Sequence, residues 1–166
     1  MNEINTSLLK NGLISAFSNF KTAIKASTNL NFKDSPDHWS VAEIAEHILL
    51  GQQVDFRNTQ KAERPFDFQV NSIKEFFLDF TQKHGTMSIL QSEHKEYQLN
   101  DILLRLVNFE KHLLNVIDND DLTEECIDDV LLTGWGYLTK YEWIHLHQYH
   151  IIRHTLQINN LIQNKK

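Results

Sequence analysis

The chain has 166 residues, and its 16 Lys and Arg against 22 Asp and Glu give a net charge of −6 with His neutral. This length suits one domain covering residues 1–166, and a hydrophobic content of 41% excludes a disordered chain. The acidic balance, without a local cluster of Lys and Arg, argues against a nucleic-acid partner.

The cysteine content and the N-terminal segment predict a cytoplasmic protein. Cys126 is the single cysteine, so an internal disulfide is excluded and a reducing compartment is expected. The N-terminus lacks the basic start and the uninterrupted apolar run of a signal peptide. No stretch approaches the roughly 18 consecutive apolar residues of a membrane span, so no membrane association is expected.

Only five Gly and two Pro punctuate the chain, which favours a few long helices and an all-α fold. The first helix is predicted from about Thr6 to about Ser27. Its apolar residues recur at helical spacing and form one stripe: Leu9, Leu13, Phe17, Phe20 and Ile24.

The second helix is predicted to open with a capping box from Ser40 to Glu43 and to continue to about Arg57. Its inward stripe reads Ile44, His47, Gly51 and Val54. An imidazole therefore lies where a helical core normally has an aliphatic side chain, and its presence there needs a reason.

The third part of the chain is predicted to be a long crossover connection. A polar stretch leads to a short helix that opens with a capping box from Ser72 to Glu75. Asn100 is then predicted to cap another long helix that ends near Asp118. The apolar stripe of that helix is Ile102, Leu106, Phe109, Leu113 and Val116.

The region from Asn119 to Leu138 is predicted to be an irregular loop with at most one helical turn, because it is acidic and contains Gly134 and Gly136. A third capping box, from Thr139 to Glu142, opens the last helix, which is predicted to run to about Gln163. The expected architecture is therefore a four-helix bundle with a long crossover connection.

Four of the nine histidines lie within ten positions on the predicted last helix: His145, His147, His150 and His154. Residues three or four apart share a helix face, so His147 with His150 and His150 with His154 are both feasible chelating pairs. His147 and His154 lie about 10 Å apart along the helix axis, so these three cannot easily converge on one ion. The spacing alone leaves the choice of pair open.

A third ligand must come from another helix, and His47 is the best candidate because it lies on an inward stripe. Helices packed about 8–10 Å apart allow imidazoles from both to reach one ion at about 2.1 Å. The alternative is a set of ordinary core histidines, since an HxxxH pair also occurs by chance. Three buried imidazoles without an ion would need several hydrogen-bond partners, which supports the metal site, and both interpretations stay open at this point.

Other polar residues lie close to these candidates in sequence. Gln157 follows His154 by one turn, and it either hydrogen-bonds a ligand ring or a metal-bound water or ties two helices together. Glu43 precedes His47 by one turn, but its capping box explains it without a role as general base. His147 is expected to line the pocket.

The remaining candidates are assigned to packing or to solvent. The three tryptophans are expected to pack the bundle: Trp39, Trp135 and Trp143. Arg153 and Glu46 neighbour the ligands in sequence, so they are interpreted as surface charges that face away. Of the other histidines, three are expected to be solvated, His38, His84 and His94, and one to be partly buried, His112.

Three stretches of the chain carry a resemblance to a known family. The segment 38–47, HWSVAEIAEH, resembles a Trp-initiated second helix that ends in a first metal-binding His. The segment 135–139, WGYLT, followed by Glu142 and Trp143, resembles an aromatic-Gly turn into the last helix. The segment 150–158, HIIRHTLQI, is similar to an HxxxHxxQ signature. In these features the sequence resembles the DinB superfamily, which includes YfiT-like metal-dependent hydrolases and bacterial thiol transferases.

The resemblance extends over the chain, because the helix order and the long connection also fit a DinB-like bundle. It implies that His47, His150 and His154 bind a divalent ion, often nickel or zinc, and that the protein forms a homodimer, as members frequently do. One loop departs from the family. Members often carry a polar or His residue ahead of the aromatic-Gly turn, where this chain has Leu131 to Gly134, so a substrate contact from that loop is not carried over.

Three neutral imidazoles would leave coordination positions open, which is typical of a catalytic metal site. A bound ion can lower the pKa of its water towards about 7 for hydrolysis, or hold the thiolate of a low-molecular-weight thiol for transfer to an electrophile. We therefore expect a metal-dependent hydrolase or thiol transferase that acts on a small molecule. The alternative is a non-catalytic metal-binding or scaffold protein with the same helical bundle.

Overall fold

The computed structural model describes residues 4–33, 35–51, 54–82, 96–127 and 134–163. Within these ranges the elements are α1 (Thr6–Ala26), α2 (Val41–Leu50), β1 (Thr59–Lys61), α3 (Val70–Leu78), α4 (Leu99–Asn119), β2 (Glu124–Cys126) and α5 (Lys140–Gln163). The fold is mostly helical, as predicted, with one small two-stranded sheet. The predictions for His84, His94 and the loop at 131–133 lie outside the described residues.

The apolar stripes predicted for α1 and α4 are buried in the core. All five stripe residues of each helix are buried. Phe17 of α1 and Phe109 of α4 meet edge to face, with ring centroids 5.6 Å apart. The helical spacing of apolar residues therefore located the inward faces of both helices correctly.

Helix α5 packs against α1, α2 and α3, and α4 packs against α1 and α2. Gly12 lies where α1 approaches α5 closely, because a Cβ atom at this position would be 2.7 Å from Nε2 of Gln148. In the part of the chain that the structure describes, none of the helices has both the length and the apolar character that a bilayer crossing requires.

Two of the three predicted capping boxes are present. Ser40 and Glu43 cap α2 reciprocally, and Thr139 and Glu142 do the same before α5. The box predicted from Ser72 is wrong, because α3 already begins at Val70 and its N-cap residue makes no side-chain cap hydrogen bond.

The predicted bounds of two helices are also corrected. Helix α4 begins at Leu99 with Gln98 as its N-cap, so Asn100 does not cap it. Helix α2 ends at Leu50 with Gly51 as its C-cap, well before the predicted Arg57. The apolar stripe therefore placed these helices in the core but did not locate their ends.

The sheet lies in regions that were predicted to be irregular. Strand β1 pairs antiparallel with β2, with Thr59 opposite Cys126. An isolated bridge joins Glu125 to Thr139, so the sheet continues to the start of α5. Strands of three residues with the sequences TQK and EEC carry no alternation of apolar and polar residues, and this explains why they were missed.

Candidate metal centre

Three histidines from two helices converge on one point. Nε2 of His150 lies 2.9 Å from Nε2 of His47 and 2.9 Å from Nε2 of His154. The ring centroids are 4.7–4.9 Å apart in all three pairs. The structure therefore brings together the three residues predicted as ligands, in a cluster that can hold a metal ion.

Local sequence determines where each imidazole lies. His47 is in the last turn of α2, a helix that is buried on nearly all sides, so its side chain is only 5% exposed. His150 and His154 are four residues apart on α5 and therefore share a face. The packing of α2 against α5 brings the two faces together.

The number of lone pairs in the cluster favours a cation. A neutral ring nitrogen either carries one hydrogen or offers one lone pair. Nε2 of His150 can therefore form a hydrogen bond with only one of its two close neighbours. A cation among the three nitrogens would accept a lone pair from each at once, so the cluster fits a metal ion better than a set of hydrogen-bonded histidines.

Gln157 holds His154 in the tautomer that a metal needs. Its Oε1 lies 2.7 Å from Nδ1 of His154, and a carboxamide oxygen only accepts, so Nδ1 carries the hydrogen. Nε2 of His154 then offers its lone pair towards the cluster. Gln157 is exposed, so of its two predicted roles it takes the contact with the ligand ring and not a buried tie between helices.

Replacing Gln157 with alanine is expected to weaken zinc or nickel affinity by about 10–100-fold, as loss of the hydrogen-bond partner of a ligand does. The stability of the metal-free protein should not change, because the side chain is exposed. Competition with a chromophoric chelator measures the affinity. Asn160→Ala, an exposed amide on the same helix, is the matched control, and equal affinities for both variants would contradict the assigned role.

Burial keeps the imidazoles of His150 and His154 neutral. Desolvation, with the neighbouring histidines adding to it, holds the pKa of His150 well below its usual value. Desolvation, followed by the charge of His47, lowers the pKa of His154 to about 3. A neutral imidazole is the form that binds a metal, so these two residues need no deprotonation at pH 7.

His147 is not part of the cluster. Its ring lies against Phe109 and Trp143, with centroid distances of 5.1 Å and 5.9 Å, and its side chain is buried in the core. The cluster therefore uses the pair His150 and His154, and the chelating pair of His147 with His150 is not formed.

The buried His147 gives a prediction for acid stability. Desolvation lowers its pKa to about 3, so the unfolded chain binds a proton below about pH 6.5 while the folded chain does not. Stability is therefore complete above about pH 6.5 and falls as the pH drops towards 3, with a loss of about 2 kcal/mol at pH 5 from this residue. His147→Leu should remove that loss in urea titrations at pH 7 and pH 5 with a chelator present. If the free energy of unfolding of His147→Leu still falls between pH 7 and pH 5 by as much as in the wild type, the prediction is wrong. The control is His38→Leu, which replaces an exposed histidine.

Aromatic side chains flank the cluster. The Trp39 ring lies 4.9 Å from that of His47 and stacks at 6.5 Å on that of His154. The Phe77 ring lies 4.9 Å from that of His150. Trp39, which was expected only to pack the helices, therefore also lies beside two rings of the cluster. Phe77 was missed because nothing in its local sequence distinguishes it from other apolar residues of α3.

Glu43 has the capping role predicted for it. Oε2 accepts a hydrogen bond from the Ser40 backbone N–H at 2.8 Å, and Oε1 lies 2.7 Å from Nζ of Lys33. Among the described residues, no carboxylate joins the histidine cluster. The geometry therefore offers no carboxylate general base within the cluster itself.

Three other sequence interpretations are corrected. Arg153 is not a simple surface charge, because it donates hydrogen bonds to backbone carbonyls after and within α3. Glu46 accepts two hydrogen bonds from Arg105 of α4, at 2.6 and 3.1 Å, and so joins two helices. His112, predicted to be partly buried, is exposed.

An ion pair with a fully buried carboxylate lies at the start of α5, where Glu142 is 0% exposed and the Arg64 side chain is 22% exposed. Its two carboxylate oxygens accept from Nη1 and Nη2 of Arg64 at 2.7 and 2.8 Å. They also accept from the backbone N–H groups of Gln69 and Thr139 at 2.6 and 2.9 Å. The Thr139 contact was predicted from the capping box, whereas the contacts from residues 64 and 69 have no local sequence signal.

Comparison of the chain with family models, with curated proteins and with solved structures gave no match. A function for this chain therefore has to be argued from the histidine cluster and the residues around it.

Proposed function

We propose that this chain is a DinB-like metal-binding protein, a four-helix bundle of α1, α2, α4 and α5 with α3 in the crossover connection. The observation that carries the proposal is the convergence of three Nε2 atoms from α2 and α5. Nickel and zinc are the proposed ions, because neutral imidazoles suit both. A second copy of the chain is the proposed protein partner.

We propose further that the site is catalytic, as a metal-dependent hydrolase or thiol transferase acting on a small molecule. The bound ion would supply a Lewis acid that lowers the pKa of a coordinated water or thiol. His47, His150 and His154 hold the ion, and Gln157 orients His154. Trp39 and Phe77 provide apolar sides that limit access of water to the site.

Of the two reactions, thiol transfer is favoured by the lack of a carboxylate within the described cluster. Hydrolysis usually needs a general base that takes a proton from water, and both oxygens of Glu43 are held by Ser40 and Lys33. A thiol loses its proton far more easily, with an ordinary pKa of about 8.5, and needs less help from the protein.

The test uses protein purified without an affinity tag and loaded with zinc or nickel. A panel of low-molecular-weight thiols is assayed with an alkylating electrophile, and ester and amide substrates are assayed in parallel. Thiol-dependent turnover that disappears in His150→Ala supports the transferase, and metal-dependent ester or amide cleavage supports the hydrolase. A protein that binds the ion and turns over neither class is a non-catalytic metal-binding protein.

A further inference from the structure

Helix α3 lies over the histidine cluster but contributes little to the core. Ile73 is its one buried residue. Phe77, one turn later, is only partly buried, and its ring contacts His150 on one side and Trp135 on the other. The position of α3 on α5 therefore decides whether Phe77 covers the cluster.

Both ends of α3 are bound by charged side chains of α5. At the N-terminal end, the Gln69 N–H donates to the carboxylate of Glu142 at 2.6 Å. At the C-terminal end, Nη1 of Arg153 donates to the carbonyls of Phe77 and Asp79 at 3.1 and 3.0 Å, and Nη2 donates to that of Gln82. A negative group at the start and a positive group at the end both complement the helix dipole.

The guanidinium of Arg153 is suited to this contact. Its planar fork can reach several carbonyl oxygens at once, which an ammonium group cannot do with the same fixed geometry. Within the described residues Arg153 forms no ion pair, so the carbonyl groups are its partners. Its neighbour in sequence, His154, points to the cluster from the same turn of α5.

We propose that Arg153 is a positioning residue, which fixes the C-terminal half of α3 on α5 so that Phe77 covers His150 and slows the release of a bound ion. The part that concerns the ion rests on the proposed function. The part that concerns the position of α3 does not, because the contacts of Arg153 are with backbone carbonyls.

The first experiment measures hydrogen exchange of the metal-free protein. In Arg153→Met, which loses the bonds to three carbonyls, amides of residues 70–78 should exchange at least about tenfold faster, the effect of one charge-assisted hydrogen bond alone, while those of α1 stay unchanged. Arg153→Lys should restore protection only in part. Arg105→Met is the matched control, since Arg105 also donates side-chain hydrogen bonds, two of them to Glu46, but joins α4 to α2. Unchanged exchange of α3, or an equal increase in α1, would overturn the proposal.

The second experiment measures the rate at which a chelator removes zinc. Arg153→Met and Phe77→Ala should each release zinc about tenfold faster, comparable to the loss of a group that supports a ligand. Because Arg153 acts through Phe77, the double variant should release zinc no faster than Phe77→Ala alone. Additive effects would show that Arg153 acts by another route and would overturn the proposal.

The two experiments separate this inference from the proposed function. A wild-type protein that binds no zinc would contradict the metal site, while hydrogen exchange would still decide whether Arg153 holds α3. A wild-type protein that binds zinc but releases it at the rate of Arg153→Met would contradict the inference alone.

Discussion

Replacing His150 with alanine is expected to weaken zinc or nickel binding by more than about 100-fold. This exceeds the loss of about 10–100-fold in metal affinity that follows removal of a group that only hydrogen-bonds a ligand. Nε2 of His150 is the atom that lies 2.9 Å from both other ring nitrogens. Without it, two imidazoles from different helices remain, and neither belongs to a chelating pair on one helix. Elemental analysis after dialysis and competition with a chelator measure the loss.

His47→Ala should reproduce this loss, because His47 supplies the ring nitrogen that α2 contributes to the cluster. The control is His112→Ala, which removes an exposed imidazole from α4 and should leave binding unchanged. Metal contents that are equal in the wild type and in both ligand variants would show that the ligands are wrongly assigned.

Ligand-linked stability separates loss of binding from loss of folding. An ion that binds only the folded state at 100 times its Kd stabilises the wild type by about 2.7 kcal/mol. The His150→Ala variant should unfold at the same temperature with and without the ion. It should also remain folded in chelator, since removing a neutral imidazole from a partly buried position leaves no unpaired charge.

The histidine cluster could be predicted from sequence because its geometry is mostly local. Helical spacing places His150 and His154 on one face, and the stripe of α2 points His47 inward. Gln157 was found for the same reason, one turn from His154. The contact of Phe77 with His150 depends on how α3 docks on α5, and periodicity within one helix carries no information on that.

The correction at Arg153 has the same origin. A residue next to a ligand does face away from it on the helix, but on α5 that direction meets the end of α3 and not solvent. The wrong capping box from Ser72 is a related case. In the boxes at Ser40 and Thr139, the two partners are three residues apart in sequence. The start of α3 is instead capped by Glu142, which lies 73 residues from Gln69.

Replacing Glu142 with alanine is expected to lower the free energy of unfolding by about 2–6 kcal/mol, because two backbone N–H groups lose their acceptor at a cost of about 1–3 kcal/mol each. The variant leaves the backbone N–H groups of Gln69 and Thr139 without their acceptor. The guanidinium of Arg64 keeps the Glu125 carboxylate at 3.1 Å and the Tyr137 carbonyl at 2.7 Å. Urea titration of the metal-free protein measures the change. Asp118→Ala, which removes an exposed ion pair with Lys10, should cost less than about 1 kcal/mol.

The double variant Arg64→Leu with Glu142→Leu shows whether the ion pair with Arg64 or the hydrogen bonds from the backbone N–H groups contribute more to stability. Because Arg64 keeps Glu125 and Tyr137 as partners in Glu142→Ala, replacing Arg64 as well should recover little of the stability. The N–H groups of Gln69 and Thr139 would still lack an acceptor, so we expect the double variant to stay about 2–6 kcal/mol less stable than the wild type. Full recovery would show that Glu142 does not cap α3, and hydrogen exchange at residues 70–78 would then match that of the wild type.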